Sequence, residues 1–497
     1  MTSTRSWPLD VLNRIACRAK CEPSAVAVRY DGPCTDARRR LTYGELDAIS
    51  NLVAARLRDR LSPGDVVMLS GPNQAELVLA FVGTLKAGMT IFPMPPGMTA
   101  HGIRTAARRS GTTAVIGPPE MLDALAGPEM TAWELHTITN GAPAPGHADH
   151  APAPALLLQS SGTTGRPKIV RRDGPSLDAV ARNVHSAVGL RADDRVLALI
   201  AMCHSYGIEN ALLGPLSAGA QIVAMDGFDP TLVATVLTGA GVTVLPGVPF
   251  IFQMLADDVG APIRHTLRLA YSAGAPLPAS VFEGFARRTD IRIGQLYGAT
   301  EIGSVTFNDP DDDTFDPSSV GAPMDGVSLR VLDADAPDVE RPLPTGAQGH
   351  VAVRALSMLD RYVDDDTPAL DREFFLTGDL GRLDAGGRLT ITGRIKLQID
   401  IGGAKVNPLE VEDVIKELPG VAECVVVPIA VTETLNRLRA IIVPELAAAP
   451  PTVEVMRRFA HDRLASYKVP RVFEVRASLP RSATGKILRR QIESDTP

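Results

Sequence analysis

The chain has 497 residues, more than one hydrophobic core can organise, because single cores stop growing near roughly 250 to 300 residues and longer chains divide into domains. Its 45% hydrophobic and 22% charged residues are ordinary for a globular protein, and a formal net charge of -7 provides no positive field to hold a nucleic-acid backbone. Met1 to Asp10 lacks the pattern of a signal peptide and no apolar run reaches about 20 residues, so the expectation is a cytoplasmic enzyme with neither membrane nor nucleic acid as partner. The cysteines, Cys17, Cys21, Cys34, Cys203 and Cys424, are odd in number and widely scattered, which fits reduced thiols better than a disulfide framework.

In chain order, Asp65 to Ser70, Thr90 to Phe92 and Ala114 to Ile116 read as buried strands, with the helical apolar face of Ala75 to Ala87 between the first two. Thr139 to Pro154, rich in Pro, Ala and Gly, reads as a linker before the apolar strand Ala155 to Gln159. Val196 to Ile200 and Gln221 to Ala224 are further buried strands, so the pattern is βαβ-like and predicts an α/β fold with parallel sheets. Beyond about residue 320 the runs shorten, and Gly381 to Thr392 reads as strand, turn and strand around Ala385-Gly386-Gly387, marking a β-rich subdomain to residue 395. From residue 396 onward a small α+β domain is expected. It reads as βαβ again, with helices at Pro408 to Leu418 and Val453 to Leu464 and strands at Cys424 to Pro428 and Ala440 to Val443.

The strongest chemical signal is Ser160-Ser161-Gly162-Thr163-Thr164-Gly165-Arg166-Pro167-Lys168, directly after an apolar strand. Its glycines let backbone N–H groups approach an anion, its hydroxyls add donors and Lys168 adds charge. It is not a P-loop, which needs Lys immediately after the second Gly, whereas Arg166 and Pro167 intervene here. Further strings follow in order: Ser272-Ala273-Gly274-Ala275-Pro276, Tyr297-Gly298-Ala299-Thr300-Glu301, Thr377-Gly378-Asp379-Leu380, Gly393-Arg394 and Pro480-Arg481-Ser482-Ala483-Thr484-Gly485-Lys486.

Together these strings resemble the motifs of the adenylate-forming (AMP-binding) superfamily, which comprises acyl-CoA and aryl-CoA ligases, adenylation domains of peptide synthetases and beetle luciferase. The resemblance covers essentially the whole chain. It implies a large N-terminal domain over residues 1–395, binding ATP and acid, and a mobile C-terminal lid over residues 396–497. It further implies that Ser160 to Gly165 and Lys168 cradle phosphate, that Gly274, Ala275 and Pro276 line the adenine with Tyr297 and Gly298, and that Asp379, supported by Arg394, holds the ribose hydroxyls. Thr300 contacts phosphate, Glu301 helps hold Mg²⁺, and Lys486 enters for adenylation. Lys396 is the hinge, and Gly402 and Gly403 line the thiol channel.

The resemblance places the acid pocket at His204, Ser205, Tyr206 and Ala273, with Gly247 to Phe250 and Gln295-Leu296 as neighbours. Amino-acid-activating relatives generally carry Asp where this chain has Ser205, which cannot hold a substrate ammonium, so α-amino acids are disfavoured. The expected reaction is ATP-dependent formation of an acyl or aryl adenylate and then a thioester, with Mg²⁺ as cofactor, an aromatic acid favoured over an aliphatic one, and coenzyme A as acceptor. A stand-alone ligase loading a carrier-protein phosphopantetheine thiol and a luciferase-like oxidase are the alternatives. A dead acyl-AMP-binding module is disfavoured because Lys486 and Glu301 are both present. The oligomeric expectation is a monomer or homodimer.

Overall fold

The computed structural model describes residues 9–32, 38–127, 130–141, 154–160, 168–257, 263–363, 373–397, 399–401, 404–432, 435–445, 450–464, 468–481 and 487–495. Among these, two large sheets dominate. One runs Ala322–Pro323, Gly303–Asn308, Ile293–Ala299, Leu269–Ser272, Val244–Gly247, Arg195–Ala198, Gln221–Ala224, Val26–Tyr30 and Arg40–Thr42. The other runs Arg361–Tyr362, Ile169–Arg172, Ala155–Gln159, Thr90–Pro93, Val66–Leu69, Thr112–Gly117 and Thr131–Glu134. The helix Ala75–Lys86 is buried at every position and packs against Val26–Tyr30 of the first sheet and against Val66–Leu69 and Thr90–Pro93 of the second. A helix apolar all round belongs between two layers, and its sequence AELVLAFVGTLK has almost no polar face. No helix among the described residues is long and apolar enough to cross a membrane.

The expected strands are present, with two corrections. The sheets are not purely parallel: Ile293–Ala299 pairs antiparallel with Gly303–Asn308, and Ala155–Gln159 with Ile169–Arg172. Hairpins need no long crossover. The strand expected to reach Ile200 stops at Ala198, where the Asn73 side-chain amide donates to the carbonyls of Ala198 at 3.1 Å and Ile200 at 3.0 Å and turns the chain out of the sheet.

A separate antiparallel sheet contains Ser328–Leu332, Gly349–Arg354, Phe375–Leu383 and Leu389–Arg394. The expected strand, turn and strand is its last hairpin, and Gly387, at φ +76, supplies the left-handed turn residue. After the 3₁₀ turn Ile395–Leu397, a distinct apolar core begins that includes Ile399, Val406, Val411, Ile415, Val426, Ala440, Ile442 and Met456. The expected βαβ order is corrected here. Val421–Thr432 and Leu435–Pro444 form one long antiparallel hairpin, because the two residues between them cannot make a crossover. The parallel step comes later, through helix Val453–His461 to the strand Val472–Val475, which sequence reading did not identify.

Gly298 shows how tightly the Ile293–Asn308 hairpin is drawn: a Cβ there would lie 2.4 Å from the Gly303 carbonyl oxygen. Gly298→Ala should therefore cost about 1–3 kcal/mol as an overpacked site. Urea unfolding checks this; an unchanged midpoint would contradict it.

Candidate active site

Strands Val244–Gly247, Leu269–Ser272 and Ile293–Ala299 are parallel neighbours, with Gly247 opposite Ser272 and Ser272 opposite Gln295. The segments that follow therefore leave the sheet along one edge, its carboxyl edge, where open α/β sheets bind ligands. The Ala273 N–H donates to the Gly247 carbonyl at 3.1 Å, and Gly274, at φ +84, then turns the chain. Gly274, Ala275 and Pro276 are exposed, which leaves a ledge of small residues on which a flat base can lie.

Thr300, Glu301 and Ile302 form the tip of the next hairpin. The Ile302 N–H donates to the Ala299 carbonyl at 3.1 Å, and Gly303 follows at φ +71, the left-handed residue that a three-residue hairpin loop requires. Burial pushes the Glu301 carboxyl above the usual carboxylate range, while Arg394 and Lys168 draw it down and Asp379 opposes them. A partly desolvated carboxylate in no salt bridge among the described residues suits a cation delivered with its substrate. No group of three or more His, Cys, Asp or Glu side chains among the described residues forms a metal cage. That donor set fits Mg²⁺, which keeps several waters and relies on one or two carboxylates plus phosphate oxygens.

Asp379 is 3% exposed and joins two sheets. It lies directly across the strand pair from Arg394, whose Nε donates to Oδ1 at 2.6 Å, while the Tyr297 hydroxyl from the large sheet donates to Oδ2 at 2.6 Å. Burial and then the neighbouring Asp379 push the Tyr297 phenol well above its usual range, so it remains a donor. A carboxylate has about four lone-pair sites, so one on each oxygen remains for a vicinal diol. The preceding Gly378, at φ +75, donates its N–H to His350 Nε2 at 2.9 Å, which makes His350 a neutral imidazole protonated on Nδ1.

Ser160 ends the strand Ala155–Gln159 and closes the base of its loop: its N–H donates to the Lys168 carbonyl at 2.9 Å, and the Lys168 N–H donates to its hydroxyl at 3.3 Å. Lys168 Nζ sits 4.4 Å from the Tyr362 ring centroid, a cation–π contact that holds it over the sheet edge. The Leu359 N–H donates to the Glu301 carbonyl at 2.8 Å, so the segment leading to Tyr362 also tethers the hairpin tip. Ser161, Gly162, Thr163, Thr164 and Gly165 lie outside the described residues, as do Gly402, Gly403 and Lys486. Lys396 falls within the 3₁₀ turn Ile395–Leu397.

His204 precedes three contiguous helical segments, Ser205–Gly207, Ile208–Leu213 and Gly214–Ala218, the middle one π-helical. The Tyr206 hydroxyl donates to the Gly247 carbonyl at 3.1 Å, setting the segment expected to form the acid pocket beside the small-residue ledge. Ser205 Oγ is committed to Glu209 Oε1 at 2.6 Å. Burial raises the Cys203 thiol to about 12, so it stays protonated and is no nucleophile. Gln295 is a correction: its amide donates to the carbonyls of Pro317 at 2.6 Å and Ser319 at 3.1 Å and is spent on that loop, and Leu296 is core. Sequence reading also missed Asn73, whose Oδ1 accepts from the Met202 N–H at 2.9 Å, and His350. Neither belongs to a recognisable string; an Asn two residues before an apolar helix was the one available signal for the former.

The small-residue ledge, the buried Asp379 carboxylate and the hairpin-tip Glu301 carboxylate lie together at the sheet edge, and Ser160 and Lys168 close the base of the glycine-rich segment, an arrangement suited to an adenylate-forming enzyme. The AMP-binding enzyme family matches residues 16–363, and the AMP-binding enzyme C-terminal domain matches residues 410–486. The fatty acid–[acyl-carrier-protein] ligase ScoC of Streptomyces coeruleorubidus is 31% identical over 506 residues, spanning 95% of this chain and 94% of ScoC. A feruloyl-CoA synthase of Amycolatopsis sp. is 27% identical over 500 residues, spanning 98% of each chain. ATP-bound MatB from Rhodopseudomonas palustris superposes with a TM-score of 0.89 at 25% identity over 98% of both chains. The chain belongs to the AMP-binding enzyme family. It is an AMP-forming acid–thiol ligase that adenylates a carboxylic acid and passes the acyl group to a thiol.

Two outcomes are expected if Asp379 holds the ribose as its position suggests. Asp379→Ala should raise the KM for ATP roughly 10-fold to 100-fold, the equivalent of about 1.5–3 kcal/mol for hydrogen bonds to a charged group. Steady-state kinetics at saturating acid measure it, and an unchanged KM contradicts the assignment. Burial holds His350 below its ordinary range, with Asp379 opposing. Its neutral form is therefore fully favoured above the unfolded value of about 6.5, and that contribution is lost as pH falls through the lower folded value. The KM for ATP should rise on that acid side, and His350→Gln, whose amide oxygen can accept the same N–H, should flatten the rise.

Proposed function

We propose that the enzyme activates an uncharged-bodied carboxylic acid, an aromatic one in preference to an aliphatic one, and transfers it to coenzyme A. The observation that carries the acid class is Ser205: its hydroxyl is already given to Glu209, and no carboxylate stands at that position to hold an ammonium. Next to it Tyr206 reaches the Gly247 carbonyl, and the residues after Gly247 include Val248 and Phe250, the last packed edge-on against Phe228 with ring centroids 6.0 Å apart. Such walls favour a flat apolar body. The feruloyl-CoA synthase relative supports the same reading.

A carboxylate carbon is shielded by negative charge, so adenylation must come first. The acid oxygen attacks the α-phosphorus of ATP, forming the acyl–O–P bond as the bond to pyrophosphate breaks. Asp379 fixes the ribose, Tyr297 and the Gly274–Pro276 ledge fix the base, and Thr300, Lys168 and the Ser160 to Gly165 loop stabilise the phosphate oxygens. Glu301 would hold Mg²⁺, which offsets charge on the leaving pyrophosphate. Lys486 supplies a cation at the transferring phosphoryl. Its substitution, Lys486→Ala, should lower the adenylation rate by roughly 10²-fold to 10³-fold, as removal of one positioned donor does.

In the second step a thiolate attacks the acyl carbon and AMP departs with the electron pair of its ester oxygen. That step needs a thiol channel rather than Lys486. The domain boundary is proposed at Lys396, where the antiparallel sheet ends and the second core begins; turning there withdraws Lys486 and brings Gly402 and Gly403 to the site. Lys396→Pro, which fixes φ, should impair thioester formation more than adenylation, and equal losses contradict the hinge.

The relation to ScoC favours a second reading, in which an aliphatic acid is loaded onto a carrier protein. Pyrophosphate release across benzoates, cinnamates, fatty acids and amino acids, with coenzyme A or a phosphopantetheinylated carrier protein, separates the readings. An aryl-CoA product supports the first, a fatty acyl carrier thioester the second, and the absence of release with every acid overturns both.

A further inference from the structure

Arg172 and Glu209 form an ion pair at 2.5 Å whose side chains are 0% and 2% exposed. Taking such a pair out of water is costly unless its hydrogen-bonding capacity is filled; the Glu209 carboxylate is filled on both oxygens, whereas Arg172 Nη2 is buried without a hydrogen-bond partner among the described residues. Oε1 accepts from Arg172 Nη1 and, at 2.6 Å, from Ser205 Oγ; Oε2 accepts from the Ser304 N–H at 2.8 Å and the Ser304 hydroxyl at 2.7 Å.

The donors come from segments that are far apart in sequence and adjacent in function. Arg172 ends the strand that follows the glycine-rich loop and Lys168. Ser205 stands beside His204 and Tyr206 in the acid pocket. Ser304 lies on the strand that returns from the Thr300–Glu301 tip. The guanidinium is also packed against that returning strand, because a Cβ on Gly303 would meet Arg172 Nη2 at 2.9 Å. Arg172 Nε donates to Ser176 Oγ at 3.2 Å, Ser176 Oγ donates to the Ser357 carbonyl at 2.8 Å, and Ser357 Oγ donates to the Ile302 carbonyl at 2.7 Å, closing the ring back onto the hairpin tip.

We infer that Glu209 is a positioning residue for adenylation: its carboxylate, charged against Arg172, fixes the acid-pocket segment and the Mg²⁺-binding hairpin in one mutual geometry. An in-line attack needs the carboxylate oxygen and the α-phosphorus aligned within a fraction of an ångström, and these two segments hold the opposite partners. The same anchor sets specificity. An Asp at position 205 would place a second carboxylate within about hydrogen-bonding reach of Glu209 in a buried site, where like charges strongly disfavour one another. The chain is thereby closed to the ammonium-holding residue that α-amino acid activation requires.

The inference rests on the adenylation reading above, and the test separates the two. Wild-type enzyme is assayed first by pyrophosphate exchange with ATP, Mg²⁺ and its best acid; absence of exchange rejects the adenylation reading itself. With exchange established, Glu209→Gln places an amide among donors that need an acceptor. Expected are a fall in exchange rate per active site of at least roughly 10-fold and higher KM values for both ATP and acid. Loss of active enzyme with unchanged KM values and an unchanged rate per titrated site would reduce Glu209 to a structural residue and overturn the inference. Should that variant fail to fold, Ser205→Ala and Ser304→Ala each remove one hydroxyl while leaving the ion pair. The former should raise the KM for acid more than that for ATP, and the latter the reverse. No change in either ratio overturns the inference equally.

Discussion

The carboxylate of Asp379 is the contact that joins the two sheets around the candidate site. It stands on the small antiparallel sheet, yet one of its oxygens is held by Tyr297 of the nine-stranded sheet and the other by Arg394 across its own hairpin. With 3% exposure it is desolvated, so these charge-assisted bonds are stronger than they would be in water. Two sheets are thereby fixed to one another at the point proposed for the ribose. The small-residue ledge on one side and the hairpin tip on the other inherit their spacing from that join.

Around this join the site uses burial to keep groups in the forms it needs. Tyr297 stays a phenol, Cys203 a thiol and His350 a neutral acceptor, each for the same reason: the charged form would be desolvated. Glu301 is the informative exception. It is held partly out of water with cationic side chains near but not bonded to it, an arrangement that is unfavourable for a lone carboxylate and favourable for one that receives a metal with its nucleotide.

Much of this was legible in the chain because short strings dictate backbone geometry locally. Gly298, Gly303 and Gly274 are forced by turns and close approaches, so a motif such as Tyr297 to Glu301 carries its own hairpin. The apolar runs of the central strands were equally plain, since strands covered on both faces have no polar alternation. What was not legible depends on partners distant in sequence. Arg172, in a strand otherwise begun by Ile169 and Val170, reads as a surface charge until Glu209 is found against it. His350 reads as an ordinary strand residue until Gly378 donates to it. Gln295 could not be told from a pocket residue in the sequence, because the carbonyls that take its amide, Pro317 and Ser319, lie more than twenty residues further along the chain. Likewise, apolar runs in the C-terminal core could not reveal whether their strands pair parallel or antiparallel; the length of the connection decides that.

The central claim is that the substrate's own carboxylate oxygen attacks the α-phosphorus. The most direct measurement is mass spectrometry of the products after turnover of an acid labelled with ¹⁸O in its carboxyl group, in the presence of ATP, Mg²⁺ and an acceptor thiol. The account predicts one ¹⁸O atom in AMP and none in pyrophosphate, with the second label retained in the thioester carbonyl. Label recovered in inorganic phosphate, with ADP as the nucleotide product, would mean attack at the γ-phosphorus and would contradict it.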